Sequence, residues 1–434
     1  MSQHCRRYLL TKLKQILIVY TDRFSKRNLE TSNVVSKIQS SYEVSFLDYE
    51  IYSQRPFLHK LITNLFVRIL QYRFSEIHQF KKHLLKKKYQ DEYQLNNYDR
   101  VNAWLGFPFA GSKIIYKILY SIHRNLFSFY KFAKKPDLIL ITSCQEGFSQ
   151  YILKAAHKQK IPVLCMVNSW DHLTFRGPAY DYPNIKKYLV WGDIQKDELS
   201  KFHGVEKNRI VKTGSPQFDF FCEFKNRSTK RVELNIADDE FLIFLPAYNE
   251  RHGFNEPQAC EKILKYFEVS NHQFKLVIRP YPKDNTFEER FKLILQNKNV
   301  VVNEIHNDLN VDRHRFGLYL KHCDLIISGP GTAAMEAMYF GRPIIFLAME
   351  NRTEFKNINI ARERYFVDHY ADLVAEGGSF FCESYEEMLS AIDKTMKGSV
   401  DFSEKQKQIL LRQINILDGF SSDLILNEIN QVFK

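Results

Sequence analysis

The 434-residue sequence contains only seven cysteines, and no two of them have the CxxC spacing of zinc or redox sites. An odd, dispersed set of cysteines is typical of reduced thiols, which excludes a small secreted domain held together by disulfides. No group of His and Cys residues has the spacing of a zinc site. We therefore expect a protein without a bound metal and without any other cofactor.

Long hydrophobic runs are missing as well. No apolar stretch approaches the ~20 residues that a membrane-spanning helix needs. Residues 1–14 are basic, but the apolar run that follows, 15–20, is too short for the core of a signal peptide. We expect a cytoplasmic chain that contacts a membrane, if at all, peripherally at its inner face.

The remaining composition is that of an ordinary globular protein, with 44% hydrophobic and 26% charged residues. The length suits two domains that each bury a core of their own. A net charge of +12 favours an anionic partner such as a nucleotide or an anionic lipid.

Part of the positive charge is concentrated in a predicted helical insertion, residues 57–90. Apolar residues recur there at helical spacing, and the later part is rich in Lys and Arg. Such a helix could lie on anionic lipid, or it could simply turn its lysines to water within the domain. No nucleic-acid recognition motif accompanies the charge, so we expect no nucleic-acid partner.

Short apolar runs alternate with helical segments along most of the chain, which predicts an α/β fold with two doubly wound, Rossmann-like domains. We place the first domain at 1–221, a linker at 222–233, the second domain at 234–400 and C-terminal helices at 401–434. Eleven strands are predicted, at 16–20, 44–47, 136–141, 162–167, 187–191, 209–213, 241–245, 274–278, 300–303, 324–328 and 344–347.

The most informative stretch is 323–347, which reads as a strand, a glycine turn, a helix and a second strand. Gly329 and Gly331 could take a positive φ or let another group approach the backbone closely. Thr332 could cap the helix and could also offer its hydroxyl to a ligand, and the free amides at the helix start favour an anion. Glu336 lies one turn later, where its carboxylate could accept hydrogen bonds from a sugar diol. Alternatively, the small residues only allow tight packing and Glu336 only complements the helix dipole.

Residues 324–332, followed by Glu336 and the 340–343 segment Phe-Gly-Arg-Pro, resemble the donor-binding half of GT-B glycosyltransferases. The similarity extends to the branch with surface-polysaccharide transferases, CDP-glycerol glycerophosphotransferases and UDP-GlcNAc 2-epimerases. Segments 168–172 and 213–219 also resemble surface-carbohydrate glycosyltransferases. The resemblance implies that the 328–332 loop holds the nucleotide diphosphate, that Glu336 binds the ribose, and that the final helices cross back to the first domain.

Further donor-binding candidates follow other strands of the second domain, whose carboxyl ends should face one crevice. Arg279 is the best cation, because a guanidinium pairs two phosphate oxygens at once, although it could be just an exposed charge at a strand end. Asn249 and Ser328 lie in neighbouring loops. Tyr281 stands where the glycerophosphotransferase branch often has a histidine, which weakens the transfer of that branch's chemistry to this chain.

A base for the acceptor hydroxyl is expected from the first domain, across the cleft. Asp171 and His172 follow one predicted strand, and Glu146 follows the preceding one. Each carboxylate could instead only cap a turn or a helix. Many retaining GT-B enzymes carry a second glutamate eight positions before the ribose glutamate. That position is Ser328 here, which favours inversion.

The leading hypothesis is a metal-independent, inverting glycosyltransferase that uses a nucleotide-sugar donor and a polysaccharide or glycolipid acceptor. A polyol-phosphate transferase or a sugar-nucleotide epimerase on the same fold is the first alternative. A catalytically silent binding subunit of a polysaccharide assembly is the second.

Overall fold

The computed structural model describes residues 13–50, 118, 121, 130–145, 147–175, 179–248, 255–329, 331–350, 361–362, 365 and 368–434. The predicted insertion 57–90 lies outside these residues. None of the described helices is both long enough and apolar enough to cross a membrane.

The first domain is built on six parallel strands in the order β2-β1-β3-β4-β5-β6. The strands are β1 Gln15–Val19, β2 Glu43–Leu47, β3 Leu138–Ile141, β4 Val163–Met166, β5 Ile185–Val190 and β6 Ile210–Lys212. The helices are α1 Arg23–Glu30, α2 Val34–Gln39, α3 Gly147–Lys158, α4 His172–Phe175, α5 Asp193–His203 and α6 Pro216–Asn226. Every residue of β3 and β4 is buried, as expected for parallel strands covered on both faces.

The second domain repeats this plan with six parallel strands in the order β12-β11-β10-β7-β8-β9. Its strands are β7 Phe241–Pro246, β8 Phe274–Arg279, β9 Val300–Val302, β10 Leu325–Ser328, β11 Ile344–Leu347 and β12 Phe380–Cys382. Its helices are α7 Glu256–Ser270, α8 Phe287–Arg290, α9 Leu309–His322, α10 Thr332–Tyr339, α11 Asp368–Ala375 and α12 Tyr385–Met396. The predicted pair of doubly wound domains is therefore confirmed.

All eleven predicted strands are present, and β12 is an addition that the sequence analysis missed. Helix α6 was also missed, and it runs into the predicted linker as far as Asn226. The C-terminal part is two helices, α13 Ser403–Ile414 and α14 Ser421–Val432. The helical conformation is interrupted between them because Asn415 and Gly419 take positive φ angles of 64° and 85°. A right-handed helix cannot continue through such residues.

The C-terminal helices cross back to the first domain, as the resemblance implied. Ile425 and Ile429 of α14 are fully buried in the apolar cluster formed with Ile16 and Ile18 of β1. Burying an isoleucine contributes about 1.5–3 kcal/mol. Asp219 of α6 accepts hydrogen bonds from the amides of Ser421 and Ser422, at 3.1 and 2.7 Å, and so caps the start of α14.

Gly214 allows this crossing, and its replacement by alanine tests how much the crossing matters. Gly214 has a φ of +72°, and a Cβ there would meet the Ser421 hydroxyl and lie 2.8 Å from Ile416 Cβ. Gly204 has nearly the same φ, +71°, with nothing within 4 Å of a Cβ. We expect Gly204→Ala to lower the free energy of unfolding by about 1–2 kcal/mol, the cost of the backbone conformation alone. Gly214→Ala should cost about 1–3 kcal/mol more through overpacking.

Urea unfolding of the two alanine variants measures this difference. An equal loss in both would show that the 214–421 contact adds nothing to the docking of α14.

Candidate functional site

The glycine turn, of which Gly329 and Gly331 are described, lies where the strand order of the second sheet reverses, between β10 and β7. Open α/β sheets bind ligands at this kind of position, beyond the carboxyl ends of the strands. Gly331 precedes α10 with an extended φ of −170°, and Thr332 is the first helical residue without capping the helix. Of the two roles considered for Thr332, capping is therefore not observed, and the offer of its hydroxyl to a ligand stays a prediction. Within the described part of the chain, the Thr332 and Ala333 amides donate no hydrogen bond, so they are available to an anion.

Glycine is required in this turn because of a close neighbour and not because of its φ angle. The ring of Tyr248, from the loop after β7, lies against both glycines. A Cβ on Gly329 would lie 2.8 Å from Tyr248 Cε2, and a Cβ on Gly331 would meet the Tyr248 hydroxyl. Of the two roles considered for these glycines, close approach is therefore the one observed. The Ser328 hydroxyl donates to the carbonyl of Gly329, at 2.9 Å, inside the same turn.

Two buried side chains, those of Glu256 and Arg290, hold the backbone of Tyr248 in place. Its amide donates to both carboxylate oxygens of Glu256, at 3.1 and 3.2 Å, and its carbonyl accepts from Arg290 Nη2, at 2.7 Å. Arg290 also donates to Asp284, at 2.6 Å. Burial raises the pKa of Glu256 to about 8. The loop that faces the glycine turn is thus fixed from both sides.

Glu336 is buried and paired with an arginine that the sequence analysis did not single out. Arg313 Nη1, from α9, donates to Glu336 Oε1 at 3.1 Å, and both side chains are less than 5% exposed. Among the described residues, Glu336 Oε2 accepts no hydrogen bond. One carboxylate oxygen therefore remains available for a ligand hydroxyl.

Arg279 is neither an exposed charge nor an unpaired cation. Its Nη2 donates to both oxygens of Asp312, at 3.0 and 2.8 Å, and its Nη1 donates to Asn303 Oδ1, at 2.8 Å. Its guanidinium also lies 5.1 Å from the centre of the Phe316 ring. The phosphate-binding role of Arg279 stays a prediction, and the structure adds a second role in holding β8, β9 and α9 together.

A third arginine reaches this region from the first domain. Arg27 of α1 lies within electrostatic range of the two charged pairs, Arg313–Glu336 and Arg279–Asp312. Burial, together with the charge of Arg313, lowers the pKa of Arg27 to about 10. Among the described residues its guanidinium donates only to Asn28 Oδ1, at 3.0 and 3.2 Å. We call Arg27, Arg279 and Arg313 the arginine cluster. Against the carboxylates of Asp312 and Glu336 it has one positive charge in excess, which suits an anionic ligand.

The loop after β4 approaches the second domain from across the cleft. The Trp170 ring lies 5.5 Å from that of Tyr370 in α11, and the charge of Asp171 adds to burial in raising the pKa of Tyr281. Asp171 is partly exposed and accepts from the Ser169 hydroxyl at 2.5 Å. The two domains therefore meet at the contact of Trp170 with Tyr370, and Asp171 follows Trp170 directly in the chain.

Of the other predicted site residues, His172 is buried, and two fall outside the residues that the structure describes. His172 is only 4% exposed, and its Nδ1 has no hydrogen-bond partner among the described residues. Glu146 and Asn249 lie outside the described residues. Of the candidate bases that the structure describes, Asp171 is therefore the one best placed to meet a ligand.

Sequence reasoning missed Arg27, Arg313 and Tyr248 because the groups that give each of them its place in the site come from distant parts of the chain. The adjacent opposite charges of Asp312 and Arg313 offered one signal. They lie in the same turn of α9 as the buried Phe316, and charged residues are rarely buried unless they are paired.

The chain was compared with protein families, curated proteins and solved structures. No protein-family model matches the sequence, and neither does any curated protein. Among solved structures, UDP-GlcNAc 2-epimerase from Neisseria meningitidis, bound to UDP-GlcNAc, matches with a TM-score of 0.52 and 14% identity, over 96% of this chain and 100% of that one. The Methanocaldococcus jannaschii UDP-GlcNAc 2-epimerase, in complex with UDP-GlcNAc and UDP, gives 0.51 and 14% over 96% and 99%. The S. aureus MnaA–UDP structure gives 0.55 and 14% over 97% of each chain.

Similarity at this level of identity concerns the fold. The similarity extends over 96–97% of this chain, so it includes both six-stranded parallel sheets. The chain has the GT-B fold, with two Rossmann-like domains that face a cleft.

Proposed function

We propose that this protein is a glycosyltransferase that moves a sugar from a nucleotide-activated donor to a surface-polysaccharide or glycolipid acceptor. The observation that carries the proposal is the pairing of two features across one cleft. The glycine turn and Glu336 lie on the second domain. Asp171, on the first domain, follows Trp170, whose ring lies 5.5 Å from that of Tyr370 in the second domain.

The donor would bind the second domain through its nucleotide. Its diphosphate fits the free amides at the start of α10 and the excess positive charge of the arginine cluster. The ribose fits Glu336, whose Oε2 can accept a hydrogen bond from a hydroxyl. A UDP-linked donor is the first to test, because UDP and UDP-GlcNAc occur in the solved structures of the same fold.

Transfer with inversion needs one base and one stabilised leaving group. Asp171 would accept the proton of the acceptor hydroxyl while the hydroxyl oxygen attacks the anomeric carbon of the donor. A new bond then forms from that oxygen to the carbon, and the bond from the carbon to the phosphate oxygen breaks. Its electron pair leaves with the nucleoside diphosphate, whose added negative charge meets the arginine cluster and the helix start.

A sugar-nucleotide 2-epimerase is the second candidate. It is favoured by the extent of the structural similarity, since two solved UDP-GlcNAc 2-epimerases match 96% of this chain and 99–100% of their own length. Inversion at C2 of the sugar breaks the C2–H bond and requires no acceptor. The two reactions can therefore be separated experimentally.

The first experiment is a thermal-shift screen against CMP, CDP, UDP, GDP, ADP and dTDP. A ligand that binds only the folded protein raises its melting temperature, and a concentration of 100 Kd stabilises by about 2.7 kcal/mol. We expect a clear rise with UDP. No rise with any of the six, in a well-folded sample, would contradict the proposed donor site and favour a silent binding subunit.

The second experiment follows UDP-GlcNAc by proton NMR in deuterium oxide without an acceptor. A transferase should leave the sugar nucleotide intact or slowly release UDP and the free sugar, with no deuterium at C2. Formation of the C2 epimer with deuterium at that carbon would establish the epimerase instead.

A glycolipid acceptor would be reached at a membrane surface, and the predicted basic insertion 57–90 is the segment proposed to contact that surface. Contact of this basic insertion with an anionic membrane, and a cytoplasmic location, remain predictions. Sedimentation of the protein with vesicles containing phosphatidylglycerol, compared with neutral vesicles, tests the membrane contact.

A further inference from the structure

Arg313 is surrounded by groups from both halves of the molecule. Its Nη1 donates to Glu336 Oε1 at 3.1 Å, and its Nη2 donates to the backbone carbonyl of Gln217, in α6, at 3.3 Å. Its guanidinium lies 4.2 Å from the centre of the Phe221 ring and 5.4 Å from that of Phe220. Three independent kinds of contact thus fix one guanidinium plane.

An ion pair this deeply buried is not explained by stability alone. Removing two charges from water costs several kcal/mol per ion, and an apolar pair of similar volume often stabilises a protein as well or better. Burial lowers the pKa of Arg313, and the charge of Glu336 opposes this effect. The pair therefore keeps a negative carboxylate in the wall of the candidate donor site, at a cost that hydrophobic residues would avoid.

The orientation of that carboxylate depends on Arg313. The terminal torsion of a glutamate has broad preferences, so the carboxylate of an unpaired Glu336 would rotate. With Oε1 engaged by Arg313, Oε2 is the oxygen left for a ligand. Because Arg313 is itself held by Gln217 and Phe221 of α6, the direction of Oε2 is set by the packing of α6 against the second domain.

We propose that Arg313 is a positioning residue for ribose recognition, which orients Glu336 so that Oε2 accepts a hydrogen bond from a ribose hydroxyl of the bound nucleotide. The proposal rests on the proposed donor site. It gives Arg313 a role that a lysine cannot fill, because a lysine keeps the charge but lacks the planar fork that contacts Glu336 and Gln217 together.

Isothermal titration with UDP and with 2′-deoxy-UDP tests the proposal on the full-length protein. A hydrogen bond to a charged group contributes about 1.5–3 kcal/mol, so the wild type should bind UDP about 10- to 100-fold more tightly than 2′-deoxy-UDP. In Arg313→Lys this ratio should fall to within about threefold of one, because the UDP affinity drops while the 2′-deoxy-UDP affinity stays nearly unchanged.

Arg315→Lys is the matched control, since it makes the same change two residues later on the exposed side of α9. It should keep the wild-type ratio. Phe220→Leu is a second variant in case Arg313→Lys does not fold, because it keeps both charges and removes only one ring from the guanidinium. A contact of this kind at a partly exposed site is worth a factor of about 2–5, and the ratio should fall by that factor.

The outcomes separate the positioning role from the donor site itself. If Arg313→Lys or Phe220→Leu lowers the melting temperature but keeps the full preference for UDP, the pair is merely structural and the inference is wrong. A wild type that binds both nucleotides equally would overturn the inference and leave the nucleotide site standing. A wild type that binds neither UDP nor any other nucleotide in the screen would overturn the proposed function together with it.

Discussion

Asp171→Asn is expected to slow sugar transfer by about 10²- to 10⁴-fold while nucleotide binding stays within about twofold of the wild type. A general base typically contributes this much to a rate, and asparagine cannot accept the acceptor's proton. The shape of the side chain is kept, and the Ser169 hydroxyl can still donate to the amide oxygen as it does to Asp171 Oδ1. Turnover of the donor found in the nucleotide screen, measured beside the nucleotide affinity, checks both halves of the expectation.

Asp197→Asn is the control for this variant. Asp197 lies on α5 of the same domain, and its side chain is 70% exposed in a surface ion pair with Lys207, so its loss should change neither rate nor binding. Full activity in Asp171→Asn would remove Asp171 as the base. Glu146 would then be the remaining carboxylate candidate of the first domain.

Arg279→Ala is expected to lower the free energy of unfolding by about 3–5 kcal/mol. Arg279 and Asp312 are 8% and 6% exposed, and removing one partner of a buried pair leaves an uncompensated charge. The carboxylate left behind would also repel a diphosphate, so nucleotide affinity should fall in the fraction that stays folded. Urea unfolding followed by circular dichroism measures the first effect, and nucleotide titration measures the second.

The double variant Arg279→Gln with Asp312→Asn separates the two roles of Arg279. It removes both charges together and keeps an amide oxygen at position 312, which the amide of His306 needs as its acceptor. We expect its stability to return to within about 1–2 kcal/mol of the wild type, since replacing both partners of a buried pair is often nearly neutral. If Arg279→Ala alone costs less than about 1 kcal/mol but loses the nucleotide, then Arg279 serves the ligand and not the fold.

The fold could be read from the sequence because local patterns encode it. Short apolar runs such as 324–328 and 344–347 are strands because both of their faces must be covered. The glycine at 341, with its φ of +69°, follows the end of α10, as is common at helix ends. The glycine turn and Glu336 were recognised for the same reason, since the strand, the turn and the first helical turn are neighbours in the chain.

Local patterns failed where a residue's role depends on partners far along the chain. Glu336 looked like a lone carboxylate until α9 brought Arg313 beside it, and Arg279 looked like a free cation until Asp312 paired with it. Arg27 comes from a helix that lies far earlier in the chain than either of them, in the other domain. When these side chains are buried, each charge either pairs with an opposite charge or is repelled by a like one. The packing of α1, α6 and α9 decides which side chains are buried.

Periodicity and turn residues therefore specify two Rossmann-like domains and their glycine turn. The pairing of these charges and the accessible oxygen of Glu336 arise only in the tertiary structure, where α9 packs beside β8 and α10 and where α1 and α6 of the first domain meet α9.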